Sequence, residues 1–179
     1  MSTTLADALA ELAALEDPKA RAVNKRHGDA HGVNLSKLRA LAKRIGTDPE
    51  LAGELYDSGD VAGQLLGILV AKPRALDADD LDRMLRATQS AKAHDWLVAY
   101  LVKKSPLAEE LRLRWLDDAD PDARAAAWSL TSARVAKDPD GLDLDGLLDR
   151  IERELVAAPA LEQWAMNETL ANIGIFHPE

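Results

Sequence analysis

An all-α fold of about eleven short helices is what the sequence predicts, and three observations carry the prediction. Leu and Ala, good helix formers, are abundant, whereas aromatic residues make up only 4% of the chain, so strand-favouring side chains are scarce. Four prolines, Pro18, Pro49, Pro106 and Pro121, each directly follow an Asp or a Ser, the order of an N-cap and a first helical residue. Between these starts, leucines recur three and four positions apart and glycines or prolines close the segments.

Thr4 with Asp7 makes a capping box for a first helix to about Leu15, with Leu5, Leu9 and Leu12 on one side. Asp17-Pro18 opens a strongly basic second helix that Gly28 stops. A loop with His27, Gly28, Asp29, His31 and Gly32 leads to a third helix capped by Asn34 or Ser36 and ended by Gly46. That helix turns Leu35, Leu38, Leu41 and Ile45 to one side and Lys37, Lys43 and Arg44 to the other. Asp48-Pro49 and Gly59 bracket the next; Asp60 caps a helix with Val61, Leu65 and Leu69 on one face, stopped by Pro73. Asp77 and Asp80 cap another; the acidic run there lacks the glycine and terminal glutamate of a calcium loop, and carboxylates suit a helix N-terminus. A helix holding Trp96 and Tyr100 follows, then one opened by Ser105-Pro106 with Leu107, Leu111 and Trp115, then one opened by Asp120-Pro121 with Trp128. Leu144, Leu147, Leu148, Ile151 and Leu155 form an amphipathic helix. The last holds Leu161, Trp164, Leu170 and Ile173 and is closed by Gly174.

Helix pairs recurring every roughly 30 to 45 residues imply stacked α-hairpins, an α-solenoid (α-α superhelix) of the HEAT type, forming a single domain over residues 1–179. No polar capping helix follows the last one, so either the chain is shortened at its C-terminus or another surface covers that helix. The N-terminus lacks a basic segment before an apolar run, no stretch reaches the ~18 apolar residues of a membrane span, and cysteine is absent. The expectation is a soluble, cytoplasmic monomer with no membrane partner, no cofactor and no sulfur-based chemistry. His27 and His31, separated by Gly28, Asp29 and Ala30 and with Gly32 directly after, are expected to be turn residues and not metal ligands. His94-Asp95 has no nucleophilic serine or elbow motif beside it, which leaves a hydrolase reading without support.

Several segments in order resemble the AlkD-like DNA alkylation repair family of HEAT-like repeat proteins. They are His31-Gly32-Val33 leading to Leu38-Arg39 and Lys43; Leu51 through Leu55, Asp57 and Gly59; Asp95-Trp96; Trp115 before Asp120-Pro121-Asp122-Ala123-Arg124 and an alanine run; and Leu161 through Trp164, Leu170 and Gly174. The likeness runs from about residue 20 to the end. It implies a cationic concave face that holds duplex DNA and an activity that excises positively charged alkylated purines. Such excision develops oxocarbenium character on the sugar, which a nearby carboxylate stabilises, while tryptophan faces add cation–π attraction.

Position by position, the resemblance places the family's two tryptophans on Trp96 and Trp164 and its basic residue before the alanine run on Arg124. Its two aspartates fall on Leu97 and Tyr100, where a leucine has no charge and a phenol stays protonated at neutral pH. Asp95 precedes Trp96 by one position, which on a helix turns it by roughly 100°. A glycosylase site, if formed, would draw on Trp96, Tyr100, Trp164 and Asp95, with its carboxylate displaced. Core packing is the first expectation for Trp96, Tyr100 and Trp164, and a DNA-facing ledge the second, because such rings are mostly buried; Trp115 and Trp128, in rows of Leu and Ala, are expected in the core.

The net charge of −9 repels nucleic acid unless cations gather on one face. The cations expected to touch DNA are Arg44, Lys103, Lys104 and Arg124. A protein-interaction scaffold with a protein partner is the competing expectation, since stacked helices build extended surfaces whatever they bind.

Overall fold

The computed structural model describes residues 3–178. Among them are eleven α-helices and no strand; the one β-type pairing is an isolated antiparallel bridge between Glu16 and Val33. In order they are α1 Leu5–Ala14, α2 Pro18–Arg26, α3 Leu35–Ile45, α4 Pro49–Asp57, α5 Val61–Val70 and α6 Ala78–Arg86. Then come α7 Ala91–Trp96, α8 Ala108–Trp115, α9 Pro121–Lys137, α10 Leu144–Glu154 and α11 Ala160–Phe176.

The predicted starts are real caps. Thr4 and Asp7 close a reciprocal box at α1, and Asp17, Asn34, Asp48, Asp60, Asp120 and Asp143 each accept a backbone N–H of the first turn. Three expectations need correction. Ser105-Pro106 does not open α8, which begins at Ala108 with no side-chain cap. Gly174 does not close α11, which continues to Phe176. The helix of Trp96 and Tyr100 is not one regular helix: α7 ends at Trp96, a π-helical turn spans Leu97–Leu101, and a 3₁₀ turn spans Val102–Lys104.

The helices gather into two compact units, one ending at Ser105 and the other starting at Pro106. At the centre of the first lies α5, of which every residue but Leu69 is buried. It packs on α4, α3, α7 and the π turn. Contacts between every second helix, α3 with α5 and α5 with α7, are what stacked helical pairs produce. The approach to α4 requires glycine at position 67, where an added Cβ would lie 2.8 Å from the Ala52 carbonyl oxygen. Two polar bonds fasten α6 and the turn after it to this core: the Tyr56 hydroxyl donates to the Met84 carbonyl at 2.7 Å, and Gln64 Nε2 donates to the Ala87 carbonyl at 2.8 Å.

In the second unit α9 is the central helix, packed on α8 and α11. Trp115 and Trp128 are fully buried there, as expected for core residues. Val135, Leu147, Ile151, Met166 and Ile173 join Trp128 in one apolar cluster.

Candidate nucleic-acid interface

The segment Trp96 to Lys104 owes its shape to its apolar residues. Leu97, Val98, Leu101 and Val102 are all buried. They stand at i, i+1, i+4 and i+5, and a widened turn lets both pairs face inward. The N–H of Val102 accordingly reaches back five residues to the Leu97 carbonyl. Such wide turns recur at functional sites.

On the other side, Trp96 and Tyr100 meet edge to face, with ring centroids 5.5 Å apart and planes at 84°. Each ring carries a cation. The Arg39 guanidinium carbon, from α3, sits 4.8 Å over the Trp96 centroid, and Lys104 Nζ sits 5.3 Å over the Tyr100 centroid. Trp96 is thereby left 8% exposed, whereas Arg39 and Lys104 are exposed. What this ledge presents to solvent is positive charge, not open ring faces.

Neighbouring elements extend the charge. One helical turn beyond Arg39, Lys43 lines a shallow groove with Thr47 of the following loop and Leu69 of α5. The chain leaving α5 carries Lys72 and Arg74, and the 3₁₀ turn Pro73–Ala75 packs on the turn that carries Lys103 and Lys104. Among the described residues no carboxylate pairs with Arg39, Lys43, Lys72, Arg74, Lys103 or Lys104.

Other arginines are committed elsewhere. Arg44 pairs with Glu11 of α1, although its side chain stays exposed. Arg124 forks onto Glu162 of α11 through two bonds of 2.9 Å and donates to the Asp118 and Ala119 carbonyls. The hydrogen bonds to Glu162 push its guanidinium pKa up. Its geometry is that of a tie between α9 and α11. Arg150 also covers a ring, that of buried Trp128 at 5.7 Å, but its charge is balanced by Asp117 and Glu154.

The expected glycosylase residues fall as follows. Leu97 is fully buried, Tyr100 is half-buried beneath Lys104, and Asp95 is exposed. Core packing therefore describes Trp96 only in part, since a cation covers it. Trp164 overturns the core expectation: in the second unit, on α11, it is 75% exposed, with exposed Glu168 one turn on. Asp57, another carboxylate of the first unit, is taken by Arg83 at 2.5 Å.

His31 is buried beside Asp29, which faces Lys92 at 3.5 Å. The Val33 N–H points at His31 Nδ1 at 3.2 Å, so this nitrogen is the acceptor and Nε2 carries the proton. Burial holds the imidazole pKa down, against the pull of Asp29, Glu16 and Asp60. Asn24 Nδ2 donates to the His31 carbonyl at 3.0 Å, so the residue staples its loop to α2. His27 is exposed at the end of α2.

Arg39 is the ledge residue hardest to foresee. In the sequence it stands in the Leu38-Arg39 pair of a family-like segment, on a helix whose opposite side is apolar. No helix among the described residues is long and apolar enough to cross a membrane. No curated protein matches the chain. A solved structure described as "A new family of proteins related to the HEAT-like repeat DNA glycosylases with affinity for branched DNA structures" superposes with a TM-score of 0.83. The two share 22% sequence identity over 98% of this chain and 77% of that one, a likeness that shows the HEAT-like fold. Residues 8–179 match the family described as DNA alkylation repair enzyme, and the chain belongs to that family.

Proposed function

We propose that this chain is a DNA-binding member of the family that does not excise bases, and that its preferred target is branched DNA. The observation that carries this reading is the Trp96 segment. It keeps the tryptophan, but buried Leu97 and cation-covered Tyr100 stand where the resemblance calls for carboxylates. Without a negative charge beside the sugar, the developing oxocarbenium ion has nothing to stabilise it. The unpaired cations of the first unit suit the phosphate backbone, the dominant source of protein–DNA affinity. The preference for branched DNA is supported by the affinity ascribed to the structurally similar protein.

Two measurements test it. Incubation of the chain in excess over methylated DNA is expected to release no 3- or 7-methylpurine; release that is lost in Asp95→Asn or Trp164→Ala would restore the enzyme reading. Titration of duplex, forked and four-way DNA over a salt series is expected to give tighter binding to the branched forms and a steep loss of affinity with added salt. Binding that ignores salt, or none at low salt, would end the DNA reading.

A further inference from the structure

We propose that Arg39 and Lys104 form a phosphate clamp seated on the Trp96–Tyr100 pair, so that this ledge takes the DNA backbone and not a base. The inference rests on the DNA-binding reading above and says which chemistry of DNA the ledge meets.

An aromatic face attracts a cation because the negative part of its quadrupole lies over the ring. Here the protein fills that position itself, with Arg39 4.8 Å over Trp96 and Lys104 5.3 Å over Tyr100. A positively charged base approaching either capped face would meet like charge. A neutral base has little ring to stack on either, since Trp96 is 8% exposed. An anion meets the reverse situation: two cations held in place by their rings, with no carboxylate of the described residues competing for them. Lys43 and Lys103 flank them on the same elements, α3 and the 3₁₀ turn. Guanidinium offers several N–H donors in a plane, which suits two oxygens of one phosphate, and the lysine adds a point charge. The ring contacts pre-organise both groups, so less freedom is lost when a phosphate arrives. The rings thus act as seats for cations.

The test is binding of unmodified and methylated four-way and duplex DNA to the whole chain, by fluorescence anisotropy over a salt series. Arg39→Gln and Lys104→Gln are each expected to weaken binding roughly 5- to 10-fold at ~0.1 M salt, equally on all DNAs, and to lower the slope of log K against log salt by about one. Arg39→Lys keeps the charge and is expected to keep the slope. Trp96→Leu, which removes the seat but no charge, is expected to lose affinity at nearly unchanged slope. Lys25→Gln, on α2, which contributes no residue to the ledge, serves as the control, and thermal melts verify that each variant is folded. The clamp is overturned if wild-type binding is salt-dependent but Arg39→Gln and Lys104→Gln leave both affinity and slope intact, an outcome in which DNA binding itself survives. It is also overturned if the wild type prefers methylated to unmodified DNA of one sequence. Absence of any salt-dependent binding by the wild type would instead sink the DNA reading.

Discussion

Tyr100 separates the fold from the chemistry. Restoring a carboxylate by Tyr100→Asp is expected to give no methylpurine release, because Lys104 would pair with the new aspartate and Arg39 would still cover Trp96. The same variant should bind DNA more weakly, measured by anisotropy, since one ledge cation is then neutralised. His31 carries a pH signature. Burial holds its pKa below the ordinary 6.5, so unfolding takes up a proton just below that value. Its contribution to stability is present above pH ~6.5 and is lost as pH falls. Urea melts from pH 7.5 to 5.5 should show a decline that His31→Gln flattens, although the variant starts lower. Arg124 shows what the sequence could not reveal. A cation before an alanine run reads as a DNA contact, and nothing local to it shows that Glu162, 38 residues on, holds it. Glu162→Ala leaves the guanidinium without its buried partner and is expected to cost about 3 kcal/mol in urea unfolding. Trp164 left a trace in the pattern, for it lies outside the row Glu162, Ala165, Met166, Thr169 and Ile173 that α11 buries.

Helix starts were readable because a cap is local: an Asp before a proline, accepting an N–H two or three positions on, needs nothing from the rest of the chain. The π turn was not, because Leu97, Val98, Leu101 and Val102 fit an amphipathic α-helix equally well and only packing on α5 selects the wider form. Since it holds one residue more than an α-turn, deleting Ala99 is expected to leave a regular α-turn with Lys104 on its present side. Anisotropy should then show DNA affinity close to that of the intact chain. The contact of α4 with α5 gives a separate prediction. Gly67→Ala drives a methyl to 2.8 Å from the Ala52 carbonyl oxygen, and should cost about 2 kcal/mol, lowering Tm by roughly 6 °C in a thermal melt.

For the whole molecule, the repeat architecture was legible from the helix rhythm, and the family from the order of its segments. The location of charge was not, because a sum of −9 from 22 basic and 31 acidic residues is silent about pairing. Acidic side chains neutralise arginine after arginine, at Glu11, Glu16, Asp57, Glu109 and Glu162, and leave the ledge cations alone. This division has a consequence for crowding. A chain that meets DNA through a small positive surface while remaining strongly acidic overall lowers the local potential for the next copy. Successive copies on one long DNA are therefore expected to space themselves out, with a Hill coefficient no greater than one and no filament. Such a protein would mark isolated points on a nucleic acid and would not coat it.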